Sequence, residues 1–379
     1  MLKIFMTGDN HIGLKYARYE QAAALARARI TAFEAMVEKA NEEHCTIFAI
    51  TGDLFENTYG VSKKDIQTLL DILEKFKGTV IILPGNHDYY SKDVKIWQYF
   101  EDIVTSKDNI MLLKEYRPYS ISSGDDNVII YPAPCTSIHS LPGENNLGWI
   151  KNENITPDNT YRIGIAHGAI EGETIDSEGQ YFLMKREELE SIPMDAWLIG
   201  HTHVSIPGSL KTVSYTSGER IFNAGTHVQT DVSCNTEGCC FILEIEAANG
   251  IKNVLAKKYI SGNTHFIRKN ISVSAGNMEN DIKKVLADIP DNSVVDIILK
   301  GAVSAEEYEN RFEIIDGLLN GYTEASFNEH GLSKLISAEL IEAEYPETSF
   351  AAGLLKELMS NPKEAQLAYE LLNSVKEGR

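Results

Sequence analysis

The chain has 379 residues, of which 43% are hydrophobic and 24% charged, and its formal net charge is −20. That composition excludes a mostly disordered chain, and the length calls for a large core domain with appended modules. The acid excess argues against a nucleic-acid partner unless a local basic surface or bound divalent cations reverse the sign.

Residues 1–11, MLKIFMTGDNH, read as a strand rather than a signal peptide. No apolar run reaches the roughly 18–20 residues that span a bilayer, so no membrane association is expected. Cys45, Cys135, Cys234, Cys239 and Cys240 are scattered and form no CxxC pair. This spacing excludes a zinc ribbon, speaks against a disulfide framework and fits a reducing, cytoplasmic setting.

Short runs rich in Ile and Val at 2–6, 46–50, 79–83, 127–131, 161–166 and 196–199 read as strands buried on both faces. Between the first three lie helical patterns: Phe33, Met36, Val37 and Ala40, then residues 66–76, with a third at 94–104. Alternating strand and helix predicts an α/β sheet covered by helices. Past residue 196, segments 218–224 and 239–246 read as strands without helices between them, the antiparallel half of a β-sandwich-like core.

A boundary is expected near residues 261–263, which gives a core over 1–262. Strands at 266–273 and 293–299 with helices at 278–289 and 305–319 predict a small α+β module over 263–325. A helical segment is expected over 326–379, starting with Leu332, Leu335, Ile336 and Leu340 and ending in the stripe Leu367, Leu371 and Val375. Pro346 and Pro362 divide it into three helices. Residues 301–379 hold 15 acids and 6 bases, so this tail supplies −9 of the net charge.

The chemistry sits where the strands end. The first run is followed by Asp9-Asn10-His11, the second by Gly52-Asp53, and the third by Gly85-Asn86-His87-Asp88. The fifth is followed by His167-Gly168 and the sixth by Gly200-His201-Thr202-His203. In α/β sheets ligands collect at the carboxyl ends of strands, and adjacent glycines permit the tight turns that bring side chains together. Any one Gly-Asp or Gly-His is ordinarily just a turn; five of them, in this order and each after an apolar run, are not. Imidazoles with carboxylates and no thiolate suit manganese, iron or zinc. So many donors exceed the needs of one ion and fit two, a geometry that clamps the attacking and leaving oxygens of a phosphoester.

Asp-x-His, Gly-Asp-Leu-Phe, Gly-Asn-His-Asp, His-Gly and Gly-His-Thr-His, in this order, resemble the five motifs of the calcineurin-like metallophosphoesterases. The resemblance implies a four-layer α-β-β-α sandwich, here with a small α+β cap and a helical C-terminus. It implies that Asp9, His11, Asp53 and His203 bind one metal and that Asp53, Asn86, His167 and His201 bind the other. His87 would stay off the metals and act at the phosphate, with Asp88 orienting it.

Residues 52–55 with Leu83-Pro84 before the third motif resemble the SbcD-type DNA repair exonucleases. Gly225-Thr226 resembles that family's Pro-Gly-Ser/Thr turn, with Ala224 in place of Pro, and the core-cap-helices layout is similar too. This implies a manganese-dependent exonuclease subunit acting on DNA ends with an SbcC-type coiled-coil ATPase. The relatives' His after Gly-Asp-Leu-Phe is Glu56 here, which implies weaker endonuclease action.

Lys15 and Arg18, with Tyr16 and Tyr19, are candidate contacts to phosphate and a stacked base, and Tyr89 and Tyr90 are candidates to stack on a DNA end. A solvated loop and simple loop packing are the competing readings. The family forms a dimer through helices here at 64–78 and 93–105, with Leu70, Leu73, Ile96, Trp97 and Phe100 as candidates. Packing on the chain's own sheet is the alternative. The stripe Leu367, Leu371 and Val375 either docks on the ATPase or closes a local core. Two other functions compete: a small-molecule or cyclic-nucleotide phosphodiesterase or phosphatase, which the acidic charge favours, and a noncatalytic DNA-end scaffold.

Overall fold

Strand β1 (Leu2–Thr7) sets the pattern for the larger of two compact units, Met1–His265. Leu2, Ile4 and Met6 face one side of their sheet and Phe5 the other, the two-residue alternation of a strand. The structure, a computed structural model, describes residues 1–123, 126–156, 158–173, 176, 178–208, 218–234, 236–248 and 251–376.

Helix α1 (Ala22–Glu42) leads to β2 (Ile47–Ile50), α2 (Lys63–Leu73) to β3 (Thr79–Ile82) and α3 (Lys95–Val104) to β4 (Ile110–Leu112). These four strands pair in parallel. A second sheet opens with the antiparallel pair β5 (Tyr119–Ser123) and β6 (Asp126–Ala133). It continues in parallel through β7 (Tyr161–His167), β8 (Ala196–Gly200) and β9 (Ile221–Asn223). Helices α4 (Gly148–Lys151) and α5 (Arg186–Ser191) lie in its connections. The chain then returns to the first sheet, where β10 (Cys239–Ala248) pairs antiparallel with β1 and β11 (Ile251–Ile260) with β10.

Three apolar clusters separate four layers. Ile4, Met6, Ile47 and Ile81 pack against Ile163, Ile165, Leu198 and Phe222 between the sheets. Phe5, Phe48 and Val80, on the outer side of the first sheet, pack with Phe33, Met36 and Leu69 from the helices. Trp197 and Ile199 do the same with Ile150 and Leu189 on the second sheet. This is an α-β-β-α sandwich.

One sequence reading of this unit changes. Segments 218–224 and 239–246 do not form one antiparallel half: β9 extends the second sheet in parallel, while β10 closes the first. The sequence shows strand propensity but not partner, because pairing across the sandwich is a long-range choice. The side chains considered for a dimer pack internally. Leu70, Leu73, Trp97 and Phe100 are fully buried and Ile96 nearly so, all within the chain's own helix-sheet core.

The smaller unit is Phe266–Arg379. Strands β12 (His265–Ser274), β13 (Ser293–Val303) and β14 (Glu324–Lys334) form its sheet in that order, with β13 and β14 parallel. Between them lie α6 (Met278–Leu286), α7 (Ala305–Glu309) and α8 (Arg311–Leu319). The expected helix over 305–319 is thus two helices, with a break at Asn310. The helical reading from residue 331 also fails at its start, since Leu332 belongs to β14 and to the sheet's core. Strand β14 carries few apolar residues and only one buried side chain, so its sequence lacks a strand's alternation.

Helices α9 (Ala338–Glu344), α10 (Phe350–Leu358) and α11 (Pro362–Lys376) follow and close a separate cluster around Ile341, Leu355 and Tyr369. Pro362 is the first residue of α11, where a missing N–H costs nothing. Among the described residues no helix is long and apolar enough to cross a membrane.

Trp97 anchors the third motif from behind. Its indole Nε1 donates to the Asp88 carbonyl at 2.7 Å, and its ring packs on Phe55 and Phe100. Trp97→Ala is expected to cost about 3–5 kcal/mol in urea unfolding followed by circular dichroism. A loss below about 1 kcal/mol would show that the core collapses around the gap.

Candidate metal centre

The site forms where two strand-end loops run side by side. Asp9 N–H donates to Gly52 O at 3.1 Å, His11 N–H to Asp53 O at 2.9 Å, and Ile12 N–H to Leu54 O at 2.9 Å. Asp9, His11 and Asp53 have φ values of 48°, 47° and 50°, and His201 has 112°. Each such residue costs on the order of 1–3 kcal/mol, and strain of this kind collects at functional sites. Gly85 shows why the third motif needs glycine: a Cβ there would lie 2.2 Å from Asp53 Oδ1 and 2.3 Å from Asp53 N.

Asp53 lies at the centre. Its Oδ1 accepts the His87 backbone N–H at 2.9 Å, and its Oδ2 lies 3.3 Å from His167 Nε2 and 4.0 Å from His11 Nε2. The His201 N–H reaches both Asp9 oxygens, at 3.0 and 3.1 Å. Asn86 Oδ1 lies 3.0 Å from His167 Nε2 and 3.1 Å from His201 Nδ1. His11 Nε2 faces His203 Nε2 at 3.0 Å. Two imidazole nitrogens at that distance need a proton or a cation between them.

The other face of each key ring is held by a further partner. His167 Nδ1 bonds the Thr51 carbonyl at 2.9 Å, which leaves Nε2 for the centre. Glu56 Oε2 lies 2.9 Å from His11 Nδ1, a charge pair rather than an aligned N–H···O bond.

The seven residues expected as metal ligands therefore converge. Three groups have donor atoms within 4.8 Å of one another: Asp9, His11 and His203; His11, Asp53 and His87; and Asp9, Asp53 and His167. Carboxylates and imidazoles this close, with inward-facing lone pairs, fit a divalent cation pair. His87 also belongs to one of these groups, beyond the role at the phosphate expected for it.

Burial shapes the electrostatics. It raises the Asp9 carboxyl to about 6 against the pull of His167. Burial also pushes Asp53 upward, but the adjoining His167 outweighs it and holds the carboxyl well below the usual range. Burial opposes a proton on His167, yet Asp53 lifts that ring to about 9. Burial and His167 lower His201 to about 4, while burial and His11 lower His203 to about 3.

The remaining candidates divide. Asp88 does not orient the His87 ring. Its oxygens accept the N–H groups of Gly85 at 2.7 Å and Phe55 at 3.0 Å, while His87 Nδ1 bonds the Glu56 carbonyl at 2.9 Å. Asp88 instead clamps the third motif to the second, and burial raises its carboxyl to about 7. The reason is local: a fully buried carboxylate next to two backbone donors is satisfied there first.

Tyr90 packs rather than stacks outward. Its hydroxyl donates to Glu101 and its ring lies beside Trp97 and under Lys114. Neither Tyr89 nor Tyr90 lines the groove above the centre, whose volume is about 530 Å³. Arg18 does line it, 3.7 Å from Asp231 and stacked on Tyr19. Lys15 is exposed and outside that lining. Tyr16 is buried, with its hydroxyl accepting from Arg29.

Sequence reasoning missed Arg29. Its guanidinium is buried and forks onto the carbonyls of Asn10, Val228 and Gln229. Arg29 shares α1 with Arg27 and belongs to no motif, so only the fold reveals it. His227, next after Gly225-Thr226, is buried behind Arg29 with Nε2 2.9 Å from the Arg29 carbonyl.

The family model described as calcineurin-like phosphoesterase matches residues 2–205, more than half of the chain. Among solved structures the chain is similar to a purple acid phosphatase from yellow lupin (Lupinus luteus) seeds. That match has 14% identity and a TM-score of 0.42, and it covers 69% of this chain and 51% of that one. The chain thus spans about half the length of the lupin enzyme. It is also similar to a dimetal phosphatase from Danio rerio, at 10% identity over 68% of this chain and 99% of that one with a TM-score of 0.40. A phosphoesterase from E. coli matches at 11% identity over 64% and 88%, with a TM-score of 0.27.

Protons and cations compete for this cluster. Asp9, raised to about 6, destabilises the metal-free fold as pH climbs from its unfolded value of 3.8 through 6. His167, raised to about 9, stabilises the fold below its unfolded value of 6.5 and must give up its proton to ligate. Added Mn²⁺ is therefore expected to raise the melting temperature more at about pH 7.5 than at about pH 5. Equal shifts at both would count against these groups as ligands.

Proposed function

Because the chain belongs to the calcineurin-like phosphoesterase family, we propose that it is a metal-dependent phosphodiesterase acting on DNA ends, similar to SbcD-type exonuclease subunits. In this reading Asp9, His11, Asp53 and His203 hold one divalent cation and Asp53, Asn86, His167 and His201 the other, with manganese the first choice and iron or zinc next. A bound cation pair supplies Lewis acidity and a nucleophile at neutral pH.

The observation that carries the chemistry is the pose of His87. Its Nδ1–H donates to the Glu56 carbonyl, and the residue is exposed in the groove lining, so Nε2 serves the groove. Protonated there, the ring hands its proton to the leaving oxygen of a phosphoester. Asp53 holds the backbone of the same residue, so cation and acid keep a fixed spacing.

Three features support DNA as the substrate. The residues around Gly52–Phe55 and Gly85–Asp88 resemble the SbcD-type enzymes. Arg18 and Tyr19 offer a guanidinium and a ring beside the centre, suited to a phosphate and a base. The stripe Leu367, Leu371 and Val375 on α11 is 57%, 59% and 77% exposed, which fits docking on a coiled-coil ATPase. The net charge of −20 favours the second reading, a small-molecule phosphodiesterase or phosphatase.

With Mn²⁺, purified protein is expected to shorten end-labelled linear duplex DNA and to cleave bis-p-nitrophenyl phosphate, with DNA cleavage falling steeply as salt rises. Turnover of small esters with no DNA cleavage, even beside a coiled-coil ATPase, would favour the second reading. His87→Gln should lower kcat on both substrates by about 10²–10⁴-fold. Unchanged cleavage by that variant would remove the acid role from His87.

A further inference from the structure

Glu56 touches both histidines on the groove side of the centre, through different atoms. Its carboxylate Oε2 lies 2.9 Å from His11 Nδ1, and its backbone carbonyl accepts from His87 Nδ1 at 2.9 Å. The two rings stand 4.9 Å apart at 87°, and each turns Nδ1 toward this one residue. His11 Nε2 is thereby left toward His203 and Asp53. The Glu56 backbone is itself fixed, because its N–H donates to Ile12 O at 3.0 Å and Phe55 bridges to Ile12. The residue is therefore stitched to the loop that carries His11.

We propose that Glu56 is a positioning residue that sets the ring orientation of His11 with its side chain and of His87 with its main chain. This inference rests on the dimetal reading above. The two roles separate cleanly, because a substitution removes the carboxylate and keeps the carbonyl. A carboxylate beside a ligating imidazole orients the ring and raises its basicity, which strengthens the cation held by the opposite nitrogen. The effect should fall on the Asp9, His11 and His203 group. His167 is held independently by the Thr51 carbonyl, so its group should be spared.

The test is Mn²⁺ titration of the full chain by calorimetry for wild type, Glu56→Ala and Glu56→Gln. One of two binding steps should weaken by about 10–100-fold in Glu56→Ala, and the other should keep its affinity. Glu56→Gln, which retains the shape and an accepting oxygen, should recover part of the loss. It also keeps the test valid if the alanine variant is poorly folded, which circular dichroism would reveal. The rate deficit of the variants on bis-p-nitrophenyl phosphate should shrink as Mn²⁺ is raised. Two unaltered binding steps, or two steps weakened equally in a folded variant, would overturn the assignment. A wild-type chain that binds no Mn²⁺ would instead sink the dimetal reading itself.

Discussion

The carboxylate of Asp53 is the constraint on which the centre depends. It is buried, ionised beside His167, and bonded to the backbone of His87. A buried charge survives only where partners surround it, and these partners come from strand ends other than its own. Asp53 lies past β2, His87 past β3 and His167 at the end of β7. One side chain therefore ties the first sheet to the second at their shared carboxyl edge. The left-handed backbone at Asp9, His11 and Asp53 follows from this, since the two loops must run alongside each other to deliver their side chains.

Much of this was legible in the sequence because it is local. A motif such as Gly85-Asn86-His87-Asp88 after an apolar run states its turn and its position at a strand end together. Glycine at 85 is forced by the Asp53 carboxylate, so the two motifs imply each other once they meet. The α/β alternation followed from the same runs, whereas the α-β-β-α layering was implied by the resemblance of the five motifs. Pairing was less legible: nothing in residues 239–246 says that they join β1 rather than the strands just before them. Strand β14 was hidden for a related reason, since it borrows its burial from β13 and α8 and keeps only Leu332 buried itself.

Side-chain roles were harder to read than side-chain places. Asp88 and Tyr90 follow His87 directly, and adjacency suggested a shared task. The fold assigns them inward instead, to backbone donors and to Trp97. Arg29 shows the converse. It sits within α1 far from any motif, yet it grips the Asn10 carbonyl between Asp9 and His11, the last turn of β1's loop. Among the described residues its charge has no carboxylate hydrogen-bond partner and is carried by carbonyl and hydroxyl dipoles. Such a residue is defined by what surrounds it, and a single sequence does not record surroundings.

The acidic surface and the proposed DNA substrate are compatible only if attraction is local. A pair of divalent cations adds four positive charges at the base of the groove, where three carboxylates, Asp9, Asp53 and Glu56, already converge. The loaded centre would then attract a phosphodiester that the rest of the chain repels. Long-range steering would be weak, and capture would depend on short contacts at the groove, with Arg18 the nearest flexible cation in its lining. Arg18 is held by Asp231 at 3.7 Å with a side chain 61% exposed, a pairing loose enough to exchange for a phosphate. On the proposed reading, such an enzyme would bind DNA poorly alone and would gain from a partner that brings the DNA end to the groove. In that proposal the exposed stripe on α11 is the candidate surface to recruit one.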